Sequence, residues 1–343
     1  MTSSVPASYD LGVGIDIAAT SVTVACQRPN QAVQRPFSVP QTEEGWTTLQ
    51  QRLQALGVAP QATLVVMEAT STYWIRLAVW LHEQGYVVSV INPRQAHDVA
   101  KVLGKQAQTD AIDAQTLAAL ALTLRPAPWT PPPLVYHDLR QRLAQRDAFL
   151  AMRQQLRNQL HALRHDRHVV SAVEGRLTDL IETLTPQLDD IEAEVATVIE
   201  QDPEWAASIR RLLSIKGVGL WTAAWLMVMT LNFTTCPSPE ALTAYAGLAP
   251  PPYQSGTSVR GRGQLSRHSV ARLRTALYMA TLSAAQHNPV IKTMYDRLRD
   301  AGKPVKVARC AVARKLLPIA WAVVTKQTTF DPNYGQSSSA QPA

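Results

Sequence analysis

Small or polar residues alternate with β-branched ones from Leu11 to Ile17, from Ser21 to Cys26 and more weakly from Val33 to Val39, predicting three short strands in a meander. An amphipathic run follows from Glu43 to Leu56, then an apolar strand from Ala62 to Met67 and a helix from Tyr73 to Gln84. A buried strand from Tyr86 to Ile91 leads to helices from Ala96 to Leu124 that break near Gly104. The order βββαβαβα implies a mixed sheet with helices over its faces, an α/β domain filling residues 1–124.

Residues 125–135 open with RPAPWTPPP, whose five prolines cannot continue a helix and predict an extended linker. Over residues 136–202 apolar positions recur at steps of three and four. They are Phe149, Met152, Leu156, Leu160 and Leu163, then, past a break at His165 to His168, Val173, Leu177, Leu180, Leu184, Leu188, Ile191, Val195 and Val198. Two coiled-coil helices fit this spacing. The first is rich in arginine and the second holds seven acids from Asp179 to Glu200, so they can pair with each other or with another subunit. Pro186 should bend or interrupt the second. Residues 203–325 read as all-helical, and the Gln/Ser/Thr-rich stretch 326–343 as a disordered tail.

A length of 343 residues favours about two domains, and a chain that is 46% hydrophobic and 17% charged is not wholesale disordered. No run approaches the roughly 20 apolar residues of a membrane span, and Met1 to Asp10 lacks the parts of a secretory signal. A soluble, cytoplasmic protein without membrane partners is expected. Cys26, Cys236 and Cys310 are odd in number and form no CxxC, which excludes a disulfide framework or zinc ribbon and predicts buried thiols. The net charge of +7 is unevenly placed: residues 1–125 carry 8 Lys/Arg against 9 Asp/Glu, residues 126–200 carry 8 against 11, and residues 201–343 carry 17 against 6. The C-terminal excess suits a polyanionic partner, although a solvated basic face would look the same.

Asp16 ends the first strand between apolar neighbours, where a carboxylate is costly unless paired, protonated or bound to a cation. Glu68 ends the strand Leu64-Val65-Val66-Met67 in a comparable position, and Asp110 and Asp113 share a helix face. Converging without a basic partner, four such acids would require hard divalent cations. Mg²⁺ is the expected ion, as two ions about 4 Å apart, with Mn²⁺ able to substitute. The plain alternative makes Asp110 a helix N-cap and Asp113 an ordinary first-turn acid.

Leu212 to Leu226 reads as a helix-hairpin-helix. Lys216, Gly217 and Gly219 form a tight turn before a helix N-terminus suited to a backbone phosphate, and a plain αα-hairpin is the competing reading. Trp221 and Trp225 read as core. Downstream, Ser255 sits on a glycine-bounded loop followed by Arg260, Arg262, Arg267, Arg272 and Arg274, which can bind phosphate oxygens in bidentate fashion.

The segments GIDIAAT, VVMEATSTYW, INPRQAHDVAKVLGKQAQTDAIDAQTLA, SIKGVG and AYAGLAPPPYQSGTSVRGRGQLSRHSVARLRTALYMA together resemble the DEDD transposases of the insertion-sequence 110 family, from Gly12 to about Thr325. The resemblance implies a ribonuclease-H-like (RuvC-like) N-terminal domain whose acids, by motif match Asp16, Glu68, Asp110 and Asp113, hold magnesium. It implies a helical C-terminal transposase domain whose serine nucleophile corresponds best to Ser255, with Ser258 and Ser266 as rivals. It further implies donor and target DNA as substrates, a noncoding guide RNA encoded by the element, and a dimer or tetramer in which one subunit's acids meet another's serine. Arg267-His268-Ser269 stands where the family commonly has Lys-x-Gly-Asn, and Gln108 where a lysine often precedes Thr-Asp.

Three other functions remain open on the residues alone. A junction-resolving nuclease would use metal-activated water and leave the serine incidental, and an inactive nucleic-acid scaffold would keep only the shape. Gly14-Ile15-Asp16 followed by Thr20 is faintly similar to the first phosphate loop of sugar kinases, but no second glycine-rich loop follows.

Overall fold

The computed structural model describes residues 8–69, 72–102, 109–249, 253–255, 259–261 and 271–333. The chain forms two compact units that divide between Pro131 and Pro132. In the first, β1 (Leu11–Ile17), β2 (Ser21–Gln27) and β3 (Phe37–Pro40) form the meander. They are followed by α1 (Glu43–Gln54), a single 3-10 turn, β4 (Thr63–Glu68), α2 (Trp74–Glu83), β5 (Val87–Ile91), α3 (Pro93–Val102) and α4 (Asp110–Thr123). The strand order is β3-β2-β1-β4-β5, antiparallel among the first three and parallel from β1 through β4 to β5. The mixed sheet with helices is thus observed, with α3 and α4 as separate helices; Gly104 lies outside the described residues.

Alternation along the strands sorts two cores. Val13, Ile15, Val24, Val65 and Met67 pack with Trp46, Leu49 and Leu53 of α1 and Leu77 and Leu81 of α2. On the other face, Leu64, Val66 and Ile91 pack with Ala96 of α3 and with Leu117, Leu120 and Ala121 of α4. The proline-rich segment is extended but not free, since it lies along the outer edge of β5. Trp129 N–H donates to Val88 O at 2.7 Å, Ser89 Oγ donates to Ala127 O at 2.9 Å, and Trp129 meets Trp74 edge-on at 5.6 Å. Proline tolerates such an edge because it leaves few donors to satisfy.

The second unit is mostly helical. α5 (Leu134–Leu163) and α6 (Ser171–Glu200) form an antiparallel hairpin, followed by α7 (Pro203–Leu213), α8 (Leu220–Thr230) and α9 (Pro239–Tyr245). Arg142 of α5 and Arg164, its C-cap, meet acids of α6, with Arg142 to Glu194 at 2.8 Å and Arg164 to Glu174 at 2.7 Å. Pro186 does not interrupt α6, which is assigned as one helix from Ser171 to Glu200. The seam is buried near its base, where Val135, Leu139 and Leu143 pack with Ile191, Val195 and Val198 in the core shared with the later helices, and again at Leu160 towards the other end of α5. Met152, Val173 and Leu180 are exposed.

One correction falls where an all-helical pattern is expected: β6 (Tyr253–Ser255) pairs antiparallel with β7 (Val259–Gly261). Such short strands, rich in Gly, Ser and Arg, carry too little apolar periodicity to register. α10 (Ala271–His287), α11 (Pro289–Asp300) and α12 (Val305–Thr325) complete the unit, with α12 continuing through Pro318. After α12 the chain stays on the body, where Phe330 N–H donates to Ser214 Oγ at 2.8 Å and Phe330 packs on the core. Residues 334–343 of the expected tail lie outside the described residues. Cys26 and Cys236 are buried and Cys310 half-buried; burial pushes the Cys26 thiol up to about 11, which keeps it protonated. Among the described residues no helix is long and apolar enough to cross a membrane.

Candidate active site

Gly12, Gly14 and Asp16 alternate along β1 and therefore share one face of the sheet, the face that α4 covers. A Cβ on Gly14 would stand 2.0 Å from Ala114 O, and one on Gly12 would stand 2.7 Å from Ala118 O. Only glycine allows the α4 backbone to rest directly on the strand. Ala114, Ala118 and Ala121 supply the matching small side chains. Because Gly12 lies at Ala118 and Gly14 at Ala114, α4 runs antiparallel to β1, and the next residue on that face, Asp16, comes to the first turn of the helix.

β4 contributes Glu68 by register. The parallel pairing runs from Leu11↔Thr63 to Ile15↔Met67, and one further step sets Asp16 level with Glu68, both on the α4 face. Thr23 of β2 lies opposite Asp16 on the other side, its Oγ1 3.0 Å from Ser38 Oγ. At the head of α4 the cap is Thr109, whose Oγ1 accepts from Ile112 N–H at 3.3 Å. Asp110 is therefore the first helical residue rather than the cap. It is exposed, whereas Asp16, Glu68 and Asp113 are half-buried.

Asp16 feels the other three carboxylates. Asp16 is pushed up to about 6, first by burial, then by the negative charges of Asp110, Asp113 and Glu68, against a lowering hydrogen bond from the backbone N–H of Ile17. Among the described residues, however, no three His, Cys, Asp or Glu side chains stand close enough to hold a metal ion as they are. The other three acids stand within electrostatic reach of Asp16. An oxygen-only, all-carboxylate donor set suits a hard divalent cation, and drawing the groups together around one would remove the repulsion on Asp16.

The remaining sequence-selected residues lie in the second unit. Residues 214–219 join α7 to α8. Gly217 has φ +99, and a Cβ there would stand 2.5 Å from Ala284 Cβ, so glycine is required both by its backbone and by the approach of α10. Lys216 is exposed, and its carbonyl accepts from Asn288 Nδ2 at 3.2 Å. Gly219 is the N-cap of α8. Ser255 is the last residue of β6 and pairs with Val259, while Arg260 pairs with Gln254. Ser258, Arg262, Ser266 and Arg267 lie outside the described residues. Arg272 and Arg274 are on α10, where Arg272 pairs with Asp147 of α5. The composition of β1 gave no advance notice that Gly12 and Gly14 seat α4; glycines two apart before a strand-end acid are the signal that could have found them.

Residues 13–165 match the family model of the DEDD transposases of IS110, described as Transposase, and residues 209–296 match the model described as Transposase IS116/IS110/IS902 family. The chain is 29% identical over 321 residues to the pilin gene-inverting protein of Moraxella bovis, covering 93% of this chain and 97% of that protein. It is 31% identical over 141 residues, 41% of this chain and 34% of the relative, to an insertion element IS110 protein of Streptomyces coelicolor. It is 29% identical over 196 residues, 57% of this chain and 48% of the relative, to an insertion element IS900 protein of Mycobacterium paratuberculosis. With both models in chain order and a relative aligned almost end to end, the chain belongs to the IS110 family of transposases and is a DNA recombinase.

Proposed function

We propose that this transposase exchanges DNA strands with a divalent-cation site built from Asp16, Glu68, Asp110 and Asp113 on a RuvC-like, ribonuclease-H-like domain, and with Ser255 as nucleophile. The observation that carries the reading is Asp16 near the end of β1, its carboxyl pushed up first by burial and then by the charge of the other three acids. Bound Mg²⁺ would neutralise phosphodiester charge and favour deprotonation of the attacking hydroxyl. Asp16 and Glu68 present their oxygens from the rigid sheet, while Asp110 and Asp113 present theirs from the positive end of the α4 dipole, which tolerates them there.

Ser255 Oγ would form one bond to phosphorus as the bond to a bridging DNA oxygen breaks. The serine proton is released and the departing strand end gains one. Each break is thus stored as a phosphoserine ester, and rejoining needs no nucleotide cofactor. A relative named for inverting a gene and others named for insertion elements both suit such conservative exchange. Assembly as a dimer or tetramer, with one subunit's acids beside another's serine loop, and selection of donor and target by a noncoding RNA belong to this proposal by family likeness. Lys216, Gly217, Gly219, Arg260, Arg262, Arg267, Arg272 and Arg274 would contact phosphates.

A nicked suicide substrate tests the chemistry. A covalent protein–DNA adduct that maps to Ser255 and vanishes in Ser255→Ala is expected. Cleavage without an adduct, undiminished in Ser255→Ala, would instead establish water as nucleophile.

A further inference from the structure

A cleft of about 480 Å³ opens between α5, α8 and α10, within the size range of small-ligand sites. Its polar end is unusual. Arg146 Cζ lies 3.5 Å from the centre of the Trp221 ring and Arg272 Cζ lies 4.8 Å from the centre of Trp225, so two guanidinium groups rest on two indole faces and both line the cleft. Arg272 also pairs with Asp147, yet its Nε is buried without a hydrogen-bond partner among the described residues. Leu150 and Met279 add an apolar wall, and Met279 is 55% exposed.

The first turn of α8 opens onto the same space. Gly219 caps it with no side-chain hydrogen bond, and a Cβ there would meet nothing within 4 Å. Free N–H groups, unobstructed approach and two arginines favour a phosphate; guanidinium planes backed by indole and bordered by apolar side chains favour a base. Duplex DNA keeps its bases stacked and offers no such combination.

We propose that this cleft receives one unstacked nucleotide of a single strand, its base laid on the Arg146–Trp221 stack and its phosphate held by Arg272 and the N-terminus of α8. The inference rests on the reading of the chain as a nucleic-acid recombinase but not on the identity of its catalytic groups. DNA and RNA strands share this chemistry, and the test separates them.

The full chain is photocrosslinked to short single strands carrying 5-iodouracil, made as DNA and as RNA, with a DNA duplex alongside. Crosslinks on the peptides of α8 or α10 that hold Trp221 or Met279 are expected, from single strands in preference to duplex, and the stronger of the two arms identifies the strand. Gly219→Asp is the decisive variant, because aspartate is a favoured N-cap and fits the open space but sets a carboxylate where the phosphate would bind. It should keep or raise the melting temperature while weakening single-strand binding about tenfold or more, and Arg146→Ala should weaken it similarly. Crosslinks confined to other elements, or both variants binding within about twofold of the parent, would overturn the proposal. Asp16→Asn should retain the crosslink. Recombination by the parent without a crosslink in the cleft would reject the pocket alone, and crosslinking without recombination would reject the catalytic reading alone.

Discussion

Asp16 concentrates the tension in the molecule, because the fold holds a half-buried carboxyl within reach of three others. Its pKa is raised on folding from 3.8 to about 6, so the folded chain binds this proton more tightly than the unfolded one. Stability from this group is present below about pH 4 and is lost as pH rises towards 6. In chelator, near neutral pH, Asp16→Asn should therefore stabilise the protein by about 1–2 kcal/mol, less than the full shift implies because the carboxyl is only half-buried. Urea denaturation checks this, and the gain should shrink near pH 4. The same variant should abolish strand exchange, the usual opposition between stability and an active site. A destabilised Asp16→Asn would mean that the carboxylate is a structural partner and not a strained ligand.

Among the elements, the contact of α4 with β1 sets the site. Gly14→Ala places a methyl group against the backbone of Ala114, which has no rotamer with which to yield. It should cost at least about 1–3 kcal/mol in chemical denaturation and reduce strand exchange even in the folded fraction, because the first turn of α4 is displaced from Asp16. Activity per folded molecule equal to the parent would show that the seating of α4 does not matter. Gly217→Ala meets both a left-handed φ and Ala284, and should lower stability by about 1 kcal/mol or more without touching the acids.

These elements also show what local pattern could reveal. β1 is legible to the residue because Leu11 to Ile17 alternates, whereas the cap of α4 is Thr109 and not Asp110, the residue the sequence offered for it. The acids are legible as strand-end and helix-face carboxylates. The fit of Gly14 to Ala114, a contact one hundred residues apart in the chain, is not. The pairing of Trp129 with β5 likewise depends on a partner that no local window contains, whereas the β6–β7 hairpin is local but too short and too poor in apolar alternation to register.

On the scale of the whole molecule, charge separates the work. Residues 201–343 carry 17 Lys/Arg against 6 Asp/Glu, whereas residues 1–125 are nearly balanced and hold the four candidate ligands. Nucleic-acid affinity should therefore be dominated by phosphate contacts and fall by about tenfold or more between 50 and 200 mM salt, measured by fluorescence anisotropy. A flat salt dependence would mean that the basic residues are a solvated face. Catalysis makes a separate demand, that the four acids close on a divalent cation. Electron paramagnetic resonance of added Mn²⁺ measures this directly. The parent protein should take up Mn²⁺ at a site that Mg²⁺ competes for, and Asp16→Asn or Asp113→Asn should lose it while remaining folded; Mn²⁺ uptake that is absent from the parent, or unchanged in both variants, would contradict the account.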